Sequence, residues 1–360
     1  MKKLKFILIG LLLITGILLA GCASEPKQNN TATSNEKKVS QSKVEENEVQ
    51  KVNKYYFTAD EGGTISKVNA ADNSVVATIE VDGAVHNVQV SPDGKILGAT
   101  LVPNMETGHS SGMEMPGKVL FYDTETNELL NTVEIGNHPA HIVFTENGKY
   151  ALTTNNEDNT VSIIDMNSYS VINTITTGKG PHGFRISQDN KFAYIANMAE
   201  DTVSVINLEN MSEDQQIKVG TTPVTTGITS NGKTLVATLN AENALAIVDL
   251  ESNEVTKVEV GIGPAQVYID ASDQFAYVAN QGTKDAPSTS ITIVDIKSKT
   301  VTDTIETGKG AHGVVTSSDN KFAYVTNMFE NTVSVIDLTT KKVVDIVSVG
   351  EVPNGISIMK

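Results

Sequence analysis

The chain has 360 residues, 39% hydrophobic, with six histidines, one arginine, one cysteine, no tryptophan and a formal net charge of −16. A lone cysteine excludes a disulfide within the chain, and an acidic surface without a basic stripe argues against nucleic acid and against an electrostatic grip on anionic lipid. The same balance attracts cations modestly and keeps a protein soluble at a cell surface.

Residues 1–21 carry lysines at positions 2, 3 and 5 and then an apolar run from Phe6 to Leu19. Those flanks and that length predict an export signal rather than a spanning helix. Leu19-Ala20-Gly21-Cys22 resembles a bacterial lipobox, which implies acylation of Cys22 as the mature N-terminus and a lipid anchor in the cell membrane or at the cell surface. Removing the three lysines of the signal leaves a net charge of about −19. Residues 22–53 are polar, with almost no large apolar side chain, and read as a disordered tether.

From residue 54 onward the chain repeats. GKGAHGVVTSSDNKFAYVTNMFENTVSVID (308–337) returns at 178–207 as GKGPHGFRISQDNKFAYIANMAEDTVSVIN. Looser copies start at His86, Ala140, Val224, Ala265 and Asn354, so that with His182 and His312 there are seven, mostly 41 or 42 residues apart. Within one unit, apolar runs alternate with turn signals: strand A at 183–187, B at 192–197, C at 202–207 and D ending at Val219. Asp93-Gly94, Asn147-Gly148, Asp189-Asn190, Asn231-Gly232 and Asp319-Asn320 supply the positive φ of tight A-to-B hairpins. Four short strands per unit, seven times over, predict an all-β, seven-bladed β-propeller spanning 54–360. The last nine residues supply only a strand A, and residues 54–69 begin at strand B. The two termini therefore complete blade 7 together and leave no open sheet edge.

Tyr324-Val325-Thr326-Asn327 spells the YVTN repeat, with near copies at Tyr194-Ile195-Ala196-Asn197 and Tyr277-Val278-Ala279-Asn280. The chain resembles the YVTN-repeat β-propeller family over residues 54–360. That resemblance implies the fold; its members include surface proteins of no single role. Its architecture is similar to the propellers of nitrous oxide reductase and of haem d1 nitrite reductases, which implies a copper or haem d1 oxidoreductase as an alternative function. The chain departs from the former in having only six histidines and no separate electron-transfer domain.

In an up-and-down blade the D-to-A and B-to-C connections share one face of the disc. His86, His138, His141, His182 and His312 fall in or just after D-to-A connections and His109 in a B-to-C loop, so all six histidines share that face. Met198 and Met328 directly follow strand B, and Met105, Met113 and Met115 occupy an insertion in blade 1 (102–117), so five methionines join them. A smaller insertion, 281–290, lies in the matching loop of blade 5. His182 with Met198 and His312 with Met328 form equivalent pairs on adjacent strands, and Met105, His109, Met113 and Met115 form a local set. Imidazole with thioether suits copper, and Cu(I) best; the carboxylate cage that calcium or magnesium requires is lacking. The same histidines also fit a second role, hydrogen bonding to a neighbouring blade's backbone, and the methionines a second role as filler. Asn155, Asn197, Asn280 and Asn327 end strand B and read as caps of the B-to-C turn. Arg185 is expected to be screened or paired between blades. No nucleophile elbow, phosphate loop or Cys-x-x-Cys-His motif is present.

The sequence thus predicts an exported, lipid-anchored binding propeller, more a binding module than an enzyme. Its partners are expected to be a membrane, through Cys22, and a copper ion or an envelope protein. A pure protein- or glycan-binding scaffold is the bland alternative.

Overall fold

The computed structural model describes residues 55–104 and 116–360. Cys22 and the Met105, His109, Met113 and Met115 set lie outside the described residues. Seven antiparallel sheets of four strands each make the propeller, and the single helical element among the described residues is a 3-10 turn at Asn240–Glu242. Blade 3 shows the pattern, with strand A at Pro181–Ile186, B at Phe192–Asn197, C at Thr202–Asn207 and D at Ser212–Lys218. The other A strands are Gly83–Val90, Pro139–Phe144, Pro223–Ile228, Pro264–Ile269, Ala311–Thr316 and Pro353–Ile358. Blade 7 joins Pro353–Ile358 to three N-terminal strands, Tyr55–Asp60, Thr64–Asn69 and Val75–Glu80, so the termini close the ring.

Apolar side chains explain why the blades stack into a disc. Each blade is buried on both faces, so its inner strands are nearly continuous apolar runs, while strand D alternates toward solvent. One buried cluster joins Leu152, Val161 and Ile163 of blade 2 to Phe184, Ile195 and Ile206 of blade 3. Another joins Phe57, Ala59 and Ile65 of blade 7 to Val85, Val88 and Leu97 of blade 1 across the closure. The core is therefore a ring of blade-to-blade interfaces. The hairpin turns adopt the expected positive φ at Gly94, Gly148, Asn190, Gly232 and Asn320, and Asp273 does the same in blade 5 at 58°.

Two local features differ from the sequence reading. The blade 5 insertion is no open loop: strands Phe275–Gly282 and Pro287–Asp295 run on through it as a longer hairpin, paired as far as Gly282 and Pro287. Strand A begins at Pro181, earlier than its apolar alternation suggests, because it carries a β-bulge. Pro181 pairs with Asn197 and Phe184 with Ile195, which leaves His182 and Gly183 opposite one residue. Corresponding register shifts occur in all seven A–B pairs.

Candidate metal centre

The bulge decides where the histidines go. A strands of successive blades lie side by side around the channel, and the bulged backbone amides are held by a strand B threonine: His141 N–H donates to Thr154 Oγ1, Asn87 N–H to Thr100 Oγ1 and Gly313 N–H to Thr326 Oγ1. Each of these hydroxyls then donates to the bulge carbonyl of the next blade, that of His182, Ala140 and Asn354 respectively. This stitch is the physical use of the threonine in the YVTN repeat. Blade 3 has Ala196 there, and the His182 ring takes over, its Nδ1 lying 3.1 Å from the Val224 carbonyl of blade 4. His312 Nδ1 makes the same contact with the Asn354 carbonyl, beside Thr326.

Three imidazoles converge. His86, His141 and His182, from blades 1, 2 and 3, place one nitrogen each within 4.8 Å of one another. Their ring centroids are 5.0–5.9 Å apart, and His86 Nε2 is 3.2 Å from His182 Nε2. His182 Nδ1 faces a carbonyl, so it must carry the proton and leave its Nε2 as a bare lone pair. His86 Nδ1 sits 2.9 Å from Glu61 Oε1, a carboxylate kept below its usual range by its hydrogen bond to His86 in spite of burial. That contact likewise directs the His86 lone pair at Nε2 toward His182. Two facing lone pairs attract only if a cation lies between them. His141 adds a third ring that is 1% exposed, with neither nitrogen hydrogen-bonded.

Desolvation weighs against a proton as that cation. Burial and the neighbouring rings push His141 well below the ordinary histidine value, and burial holds His182 down to about 3. A metal ion needs neutral rings of this kind. Two nitrogens bound tetrahedrally at the usual metal–imidazole distance stand about 3.3 Å apart, close to the observed 3.2 Å. Glu61 and the Val224 carbonyl supply outer hydrogen bonds of the kind that orient histidines in metal sites.

Residues 130–360 match the description "YNCE-like beta-propeller". The chain belongs to that family. This YNCE-like propeller is also similar to solved structures: Kuenenia stuttgartiensis hydrazine synthase, at 20% identity and a TM-score of 0.65 over 76% of this chain and 89% of that one. A putative 6-phosphogluconolactonase from Bacteroides fragilis aligns at 14% identity and a TM-score of 0.66 over 86% and 99%. At those identities the likeness is one of fold. No curated protein matches the sequence.

In the YNCE-like propeller the converging set crosses blades, whereas the sequence reading paired histidine with methionine inside one blade. The residue after strand B reaches toward the next blade's strand A: Asn156 donates to the Pro181 carbonyl, Asn240 to the Pro264 carbonyl, and Glu61 meets His86. Met198 and Met328 occupy that position in blades 3 and 6. Met198 is 39% exposed, and Met328 Sδ accepts a hydrogen bond from Gln281 Nε2 at 3.1 Å. His312 is buried apart from the three-ring group, and His138 lies at an exposed turn with its Nδ1 3.6 Å from Glu157. Asn155, Asn197, Asn280 and Asn327 do not cap the turn; each donates to two strand C hydroxyls, as Asn197 does to Thr202 and Ser204. Glu61 was missed because in blade 7 the Asn-Met pattern reads Asp60-Glu61. Aligning the blade 7 strand B with its copies would have found it.

Proposed function

We propose that this YNCE-like propeller is an exported, lipid-anchored binding module that holds one copper ion on His86, His141 and His182. The observation that carries the reading is the buried, unpartnered His141 ring beside two rings whose lone pairs face each other. Imidazole sets suit copper and zinc alike, and copper binds the tighter of the two. A set of three protein ligands leaves one coordination position exchangeable, as accepting and passing on an ion requires. Met105, His109, Met113 and Met115 offer soft ligands for an incoming Cu(I), and Met198, Met328 and His312 lie outside the resident set.

The test is a titration of the full chain with Cu(I) under a competing chelator, and with Cu(II) and Zn(II) separately. One equivalent should bind tightly, with copper displacing zinc. His141→Ala and His182→Ala should each weaken copper by more than the roughly 10- to 100-fold typical of losing an outer-shell partner, while Met198→Ala and His312→Gln leave it within a few-fold. Equal affinity of parent and His141→Ala would defeat the proposal.

A further inference from the structure

The channel has a second end. Strand A runs from the histidines toward the A-to-B turns, and there a cavity of about 390 Å³ opens, lined by the last residues of all seven A strands. Register aligns one residue of each strand into a ring: Gln89, Val143, Arg185, Gly227, Tyr268, Val315 and Ser357. All seven line the cavity. The ring holds one cation, three neutral hydrogen-bonding side chains and no carboxylate.

Arg185 is the chain's only arginine. Of the two expected positions, solvent-screened or paired, the pairing does not form: no carboxylate among the described residues makes an ion pair with it, and its Nη1 donates to the Phe184 carbonyl at 2.8 Å. The cavity's carboxylates lie beyond the strand ends and are already engaged. Glu146 pairs with Lys360, Asp270 accepts from Ser272 and from its own turn, and Asp273 accepts from Ser230. Partial burial disfavours the guanidinium's charge, and no carboxylate is paired with it to offset this. Gly227, next in the ring, adds no side chain of its own, and a Cβ there would crowd Val236 and Ile269.

We infer that this cavity is a binding site for a small organic carboxylate, anchored by a bidentate Arg185 and by hydrogen bonds from Gln89, Tyr268 and Ser357. Its volume lies in the range of small-molecule sites, roughly 300–1,000 Å³. A planar guanidinium matches a carboxylate in two parallel hydrogen bonds. Val143, Ile186, Ile269 and Val315 supply apolar wall for the carbon skeleton. The site lies at the opposite end of strand A from the histidines and does not depend on the metal.

Full-length protein, stripped of metal by chelation and labelled with 15N-arginine, gives a single Nε–Hε resonance because the chain has one arginine. Benzoate and succinate are titrated at constant ionic strength against benzamide, sulfate and phosphate. The expected result is a saturable shift with a carboxylate and none with benzamide. Arg185→Lys, followed by calorimetry, should weaken binding about tenfold or more, because lysine lacks the fork. Ser357→Ala retains the reporter and should weaken it a few-fold. No shift, or a shift that grows without saturation for every anion, overturns the site. Saturation by sulfate or phosphate alone overturns the carboxylate assignment.

Discussion

His312 separates structural from ligand duty within one side chain type. It lies 6% exposed, outside the three-ring group, and its Nδ1 binds the Asn354 carbonyl of the closing strand. Burial holds its pKa down to about 4, against 6.5 in an unfolded chain. The unfolded state therefore takes up the extra proton between those values. Stability is fully present above about pH 6.5 and is lost as pH falls toward 4, at about 1.4 kcal/mol per pH unit for this ring. Metal-free protein should show a falling thermal midpoint from pH 7 to pH 4.5, and His312→Gln, which keeps a donor for the carbonyl, should flatten part of the slope. Identical slopes would show that His312 does not titrate as buried. The blade copies made the location of these histidines legible in the sequence, but their partners were not. His182 and Met198 are neighbours by strand order, yet the residue after strand B serves the next blade, so Glu61 becomes the partner of His86.

Among the elements, strand A carries most of the consequence. Its bulge places two successive residues opposite one, which is how His141 joins His86 and His182 although it lies one position further along the repeat. The strand B hydroxyl that holds the bulged amide belongs to the same blade, but it donates onward to the bulge carbonyl of the next, so the convergence of the three rings involves more than one copy of the repeat. The last A strand, Pro353–Ile358, pairs with Tyr56, Phe57, Thr58 and Asp60 and buries Asn354, Ile356 and Ser357. Deleting residues 352–360 removes these and uncovers Tyr56 and Phe57 as well. With about 1.5–3 kcal/mol for each buried apolar side chain, the loss is expected to reach at least about 5 kcal/mol. A chemical-denaturation midpoint unchanged from the parent would contradict the closure.

At the scale of the whole propeller, the closed ring offers two chemically different channel ends on one short axis, imidazoles at one and a guanidinium at the other. The proposed lipid anchor is tested on the full-length chain. If Cys22 is acylated, Cys22→Ala should leave the protein unprocessed or release it from membranes in a fractionation assay, and unchanged processing and retention would count against the lipid anchor. The repeat period and turn chemistry were enough to specify seven blades and their closure through the termini, because hairpin pairing is local and each unit repeats the same signals. The placement of His86, His138, His141, His182 and His312 in or just after D-to-A connections followed from strand order alone. Which three would meet, that Glu61 would orient one of them, and that Arg185 would stand without a carboxylate were decided by the tertiary structure. Those contacts join residues from different blades around a channel, and their distances depend on the ring closure and the lateral packing of blades, neither of which is encoded within a single repeat.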